Sequence, residues 1–177
     1  DERPLIEENG SWRLDFAAIE KAFASGAKFF LMSSPHNPLG LIYEKEDLSK
    51  LAELAQAHNV IIISDEIHAP LTFTTGKFVP FLTASDTARE VGITVTSASK
   101  SWNLAGLKCG FFYTQSEKLR EVLAPLAMGI HHRASITGAF GMVAAFNDSD
   151  EWLDSVIARL EINKKLIDDL VSGTPLK

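Results

Sequence analysis

Apolar and polar positions recur along the chain with a period that changes from block to block, and the changes mark its elements. After a polar, turn-rich opening (residues 1–12), Phe16, Ile19, Ala22 and Phe23 repeat at helical spacing, with Asp15 as cap and Gly26 as stop. FFLMSS (29–34) is a short continuous apolar run, the mark of a strand covered on both faces. The turn PHNPLG separates it from residues 44–58, where Leu48, Leu51, Leu54 and Ala55 share one helical face. VIII (60–63) is a second buried strand. Strand, helix and strand within about 35 residues form a βαβ unit, so the two strands are expected to run parallel. Residues 66–92 predict a loop with a short helix at 86–90, and residues 93–97 and 109–114 predict two more strands. A helical C-terminal third opens at 116–126 under a Ser116 cap, breaks at Gly129, and continues through 134–146 and 151–171, with Pro175 just beyond. The expected fold class is α/β, with a mostly parallel sheet between helices.

In such sheets ligands collect at the carboxyl ends of the strands. The residues at and just past those ends are Ser34-Pro35-His36-Asn37, Ser64-Asp65-Glu66 and Ser97-Ala98-Ser99-Lys100. An amide, a carboxylate and an amine are thereby brought to one edge. Lys100 is out of place as a solvated surface lysine, because it sits in a short segment between two apolar strands. Asp65 closes an apolar strand and needs a positive partner. Lys100 could be that partner in a plain ion pair; a protonated ring nitrogen on a bound cofactor is the other possibility. A unit pair at about 4 Å with an effective dielectric near 20 gains about 4 kcal/mol. That raises a pyridine nitrogen by roughly three pKa units and keeps it protonated at neutral pH. An amine above such a ring could link covalently to a cofactor aldehyde.

Composition narrows the alternatives. With 177 residues the chain can bury one substantial core, and its formal charge of −6 argues against nucleic acid as a partner. No apolar run reaches membrane length, so no membrane partner is expected. The single cysteine, Cys109, is read as a core residue and suggests a cytoplasmic setting. His131-His132-Arg133 offers no metal site, since adjacent histidines diverge on a helix and no third ligand has suitable spacing. No metal is expected. GxSxG, P-loop and GxGxxG patterns are absent.

Together, PHNPLG, SDEIH and SASKSWNLAGLKCG resemble the three signature stretches of fold-type I pyridoxal-phosphate (PLP) enzymes, the aminotransferase class I/II superfamily. The resemblance implies a three-layer α/β/α large domain, here incomplete, with pyridoxal 5'-phosphate as cofactor. It implies that Lys100 holds the cofactor and moves the substrate α-proton, that Asp65 pairs with the ring nitrogen, and that Asn37 bonds the phenolic oxygen. Ser97 matches a phosphate-binding hydroxyl. Lys108 stands where many aminotransferases carry a phosphate-binding arginine, and lysine supplies charge without the bidentate fork. His68 replaces a tyrosine common in transaminases and is a candidate cofactor contact. The His68 and Trp102 contexts, with the EWLDSVIARLEIN helix, resemble the cystathionine β-lyase-like C–S lyases. The implied reaction is α,β-elimination from a sulfur amino acid to a thiol, pyruvate and ammonia, carried out by a homodimer. A class I/II aminotransferase, or an aminotransferase-like effector domain of a transcription regulator, is the alternative. On this reading residues 1–170 are the central part of the large domain, and 171–177 start the connection to a small domain. The chain is then an excised portion of a longer protein.

Overall fold

A computed structural model describes residues 2–126, 129–130 and 133–174. The expectations attached to His131, His132 and Pro175 fall outside the described residues. The chain opens with a two-stranded antiparallel hairpin, β1 (Ile6–Glu8) and β2 (Ser11–Arg13). Its turn residues Asn9 and Gly10 both have positive φ (54° and 79°), which suits the twist of a two-residue hairpin. The sequence predicts only a polar, turn-rich opening here. The Asn-Gly pair was the available signal.

α1 (Phe16–Ala24) follows, with the Asp15 side chain accepting from the Ala18 N–H as the expected cap. β3 (Phe29–Ser33), α2 (Lys45–Ala57) and β4 (Ile61–Asp65) form the βαβ unit, and their strands are parallel. α3 (Asp86–Val91), capped by Ser85, leads directly into β5 (Gly92–Thr96), also parallel. β6 (Phe111–Tyr113) returns antiparallel at the edge, so the sheet order is β3-β4-β5-β6. α4 (Glu117–Leu123), α5 (Ile136–Asp148) and α6 (Asp150–Val171) complete the chain. A mixed sheet with helices packed on it is a truncated form of the α/β fold anticipated from the strand runs.

One sheet face carries the core. Met32 and Ile62 pack with Ile19 and Phe23 of α1, Leu48, Leu51, Ala52 and Ala55 of α2, and Ala88 of α3. Gly92 belongs to the same face. A Cβ there would lie 2.5 Å from the Ala88 carbonyl and 2.8 Å from the Phe81 ring, so no larger residue fits where helix and strand meet. The opposite face of edge strand β3 is open, with Phe29 60% and Leu31 70% exposed. A smaller second core joins Ala98 and Trp102, in the β5–β6 connection, to Ala145 of α5. That core decides where Lys100 stands.

Candidate active site

β3, β4 and β5 end level with one another, Ser33 opposite Asp65 and Asp65 opposite Val95. Backbone bonds extend the alignment past the strands: the Ser34 N–H donates to the Asp65 carbonyl (2.9 Å) and the Glu66 N–H to that of Val95 (2.8 Å). Because strand side chains alternate between faces, the neighbouring carboxylates separate. Glu66 accompanies Ser64 into the helical layer and is 4% exposed. Asp65 stays with Ser33 and Val95 on the other face, half-buried, its Oδ1 accepting the Ile67 N–H at 3.1 Å.

Lys100 projects from a helical turn rather than from a loose loop. The Trp102 N–H donates to the Ala98 carbonyl and the Leu104 N–H to that of Ser99, both at 3.1 Å. Ala98, Ser101 and Trp102 point inward and Lys100 is exposed. The Trp102 indole N–H donates to the Ser149 carbonyl (3.2 Å), and its ring meets Phe146 edge-on at 4.8 Å. The indole thus fastens the turn to the junction of α5 and α6. Among the described residues Lys100 and Asp65 form no ion pair, with each other or with any other side chain. The plain ion-pair reading of Lys100 is therefore not what the structure shows.

Ser97, whose hydroxyl the resemblance assigns to a cofactor phosphate, also closes a local network. Its hydroxyl donates to the Cys109 carbonyl at 2.5 Å and accepts the Ser99 N–H at 3.0 Å, with Ser99 Oγ 2.6 Å away. The bond to the Cys109 carbonyl closes the β5–β6 connection, and a bound anion would take the Ser97 proton by exchange with it. The same bond draws residue 109, and hence Lys108, onto the start of the lysine turn. Lys108 is exposed and left-handed (φ 52°), an uncommon conformation for a side chain of its kind. Helix α5 presses on this segment through Gly138, where a Cβ would lie 2.5 Å from the Leu107 carbonyl and 2.7 Å from Cys109 Cβ. Glycine costs a helix interior about 1 kcal/mol relative to alanine; here it permits the close approach that sets Lys108.

Asn37 and His68 border one cavity of about 420 Å³, with Ile42, Leu71, Phe73 and Gly76 among its walls. Asn37 is exposed in the turn after β3, and His68 is half-buried ahead of the short 3₁₀ turn Ala69–Leu71. The predicted residues thus fall into two groups flanking Asp65. Asn37 and His68 share a cavity, while Ser97, Lys100 and Lys108 share the β5–β6 connection.

Glu66 is the functional-site neighbour that sequence reasoning passed over, although strict alternation from Asp65 would have placed it inside. Its Oε1 accepts the Ser64 hydroxyl (3.0 Å) and the Phe81 N–H (2.8 Å), fixing the far end of the 67–80 loop to β4. Burial pushes its carboxyl above the ordinary range, and its hydrogen bonds only partly oppose this. A carboxyl raised in the fold contributes stability below the unfolded value of about 4.5, and that contribution is lost as pH rises through the folded value. Glu66→Gln keeps an acceptor for both donors and has no charge to bury. Urea unfolding of the full-length apoprotein is therefore expected to show the Gln variant gaining on wild type between pH 4 and pH 7.5. Glu66→Ala strands the Phe81 N–H and should cost about 1–3 kcal/mol at either pH.

Comparisons with known proteins define the family and the fold. The family described as aminotransferase class I and II matches residues 4–174, and the chain belongs to it. A cystathionine beta-lyase of Corynebacterium glutamicum is 37% identical over 150 residues, covering 85% of this chain and 40% of that protein. The aspartate aminotransferase of Bacillus subtilis is 29% identical over 151 residues, covering 85% and 38%. The crystal structure of a PLP-bound C-S lyase from Staphylococcus hominis superposes with a TM-score of 0.86 at 27% identity, over 97% of this chain and 43% of that one. The chain spans about 40% of the length of the relatives it matches.

Proposed function

We propose that this chain is the central part of the large domain of a pyridoxal-phosphate-dependent C–S lyase. Residues 1–170 belong to that domain, and residues 171–177 begin the connection to a smaller one. The observation that carries the reading is the sheet end itself. An acid and an amine stand at the ends of adjacent strands, Asp65 closing β4 and Lys100 in the turn after β5, and neither is ion-paired among the described residues. Evolving a buried-edge carboxylate and a braced lysine without pairing them makes chemical sense when a group fits between them.

The donor set suits pyridoxal 5'-phosphate. When bound, that group supplies an aldehyde for an amine and a ring that takes up the electron pair released at the substrate α-carbon. Asp65 would hold a proton on the ring nitrogen, and Asn37 would donate its amide to the phenolic oxygen from the β3 side. His68 would border the same edge. Lys108 would give the phosphate its charge, and Ser97 would offer it a hydroxyl. Lys100, which pairs with no carboxylate among the described residues, would link to the aldehyde and, once the substrate amine has displaced it there, would accept the substrate α-proton.

The lyase reaction is favoured over amino transfer by the C. glutamicum relative and the S. hominis structure. The substrate is then cystathionine or a related sulfur amino acid: the α-proton passes to Lys100, the Cβ–S bond breaks, and the thiol departs. Hydrolysis of the remaining aminoacrylate gives pyruvate and ammonia. The whole enzyme is proposed to act as a homodimer in the cytoplasm. To test the reading, the full-length protein with cofactor is incubated with cystathionine and products are quantified. Equimolar thiol and pyruvate are expected. Transfer of the amino group to an added keto acid, with no thiol, would make it an aminotransferase.

A further inference from the structure

The cavity that holds Asn37 and His68 has one wall without regular structure, residues 72–76, from which Thr72, Phe73, Thr75 and Gly76 face inward. Thr74 is missing from the lining and meets helix α6 instead. Glu161 Oε1 accepts both the Thr74 N–H and the Thr74 hydroxyl, each at 2.7 Å, across 87 residues of sequence. Two donors from one residue on one carboxylate oxygen make a clamp that fixes orientation as well as position. The same helix packs on the preceding turn Ala69–Leu71, a second contact just ahead of the wall. On the inner side the fit is close. A Cβ on Gly76 would lie 3.0 Å from Ile42 Cδ1, and the Gly76 N–H closes a turn on the Phe73 carbonyl at 2.9 Å. Glu66 holds the far end of the loop, at Phe81. Between the Ala69–Leu71 turn and Phe81, the side-chain bonds that reach the wall from another element among the described residues are those to Glu161.

We propose that Glu161 is a positioning residue: from the last helix it holds the 72–76 wall against Ile42 and so sets how tightly the cavity beside Asn37 and His68 grips the substrate. This rests on the proposal that the cavity is part of the substrate site. It assigns to α6 a function beyond the resemblance that its EWLDSVIARLEIN stretch carries. Glu161 touches no reacting atom; it acts through Thr74.

The test uses the full-length enzyme loaded with pyridoxal phosphate, as wild type, Glu161→Ala, Glu161→Gln and Thr74→Val. In Glu161→Ala, hydrogen exchange at the Thr74 amide is expected to speed up about tenfold or more, while amides of β4 keep their protection. KM for the amino-acid substrate should rise roughly five- to tenfold with kcat within about twofold, and the visible spectrum of the bound cofactor should not move. Glu161→Gln keeps an acceptor oxygen and should recover most of both effects. Thr74→Val, which keeps the N–H, should fall between. Unchanged Thr74 exchange in Glu161→Ala would overturn the clamp. A freed amide with unchanged KM would overturn its role at the site. If the enzyme proves to transaminate, the lyase reading fails alone, and KM is then read on that reaction.

Discussion

Lys100→Ala in the full-length enzyme is expected to reduce turnover by at least about 10³-fold, and Lys100→Arg to do no better. The pair of variants separates the two roles open to this side chain. A lysine kept for its charge would be replaced well by arginine, which is always protonated. A lysine kept for its chemistry would not, because a guanidinium neither links to an aldehyde nor accepts a proton near neutral pH. The structure favours chemistry. Ala98, Trp102 and Ala145 hold the turn from below, while Lys100 itself stays exposed and without an ion pair among the described residues. Since the bracing comes from neighbours, both variants should fold with the wild-type unfolding temperature. Steady-state kinetics with either more than a tenth of wild-type turnover in Lys100→Arg, or a collapse of thermal stability in both, would contradict the assignment.

Asp65→Asn is expected to keep the cofactor bound and lose roughly 10²- to 10³-fold in turnover. The reasoning is electrostatic. At about 4 Å and an effective dielectric near 20, the carboxylate supplies about 4 kcal/mol toward keeping a proton on a ring nitrogen. An amide supplies little of this. The substitution should leave the backbone undisturbed, because an asparagine Oδ1 can still accept the Ile67 N–H that Asp65 Oδ1 accepts now. The strand end would likewise keep its backbone bonds to β3 and β5. Cofactor stoichiometry and kcat measured on the same preparation check the prediction. Retained turnover, or loss of cofactor, would mean that Asp65 does something else.

What the sequence revealed and what it concealed divide along a physical line. Features set by neighbours in the chain were legible: the caps at Asp15 and Ser116, the apolar strand runs, and the βαβ unit with its parallel pairing. The strand ends were legible too, because a change from aliphatic to polar residues marks where a buried strand leaves the core, and so Asn37, Asp65 and Lys100 could be placed on one edge. Features set by distant partners were not. Nothing local to Ser97 says that its proton goes to the Cys109 carbonyl, 12 residues on. Nothing local to Glu161 names Thr74. Glu66 lay between these cases, since alternation gives its face but not the Phe81 N–H waiting there. The resemblance to PLP enzymes implies the roles; the structure adds where each side chain stands and what it bonds, as with Ser97 and the Cys109 carbonyl.

The central claim is that one aromatic aldehyde fits between Asp65 and Lys100. Its most direct test is to reconstitute the full-length apoprotein with pyridoxal phosphate, reduce it with borohydride, and map the modified peptide by mass spectrometry. A single pyridoxyl group on Lys100, absent from Lys100→Ala, is the predicted result. Modification at another lysine, or none above the level of free surface lysines, would contradict the account.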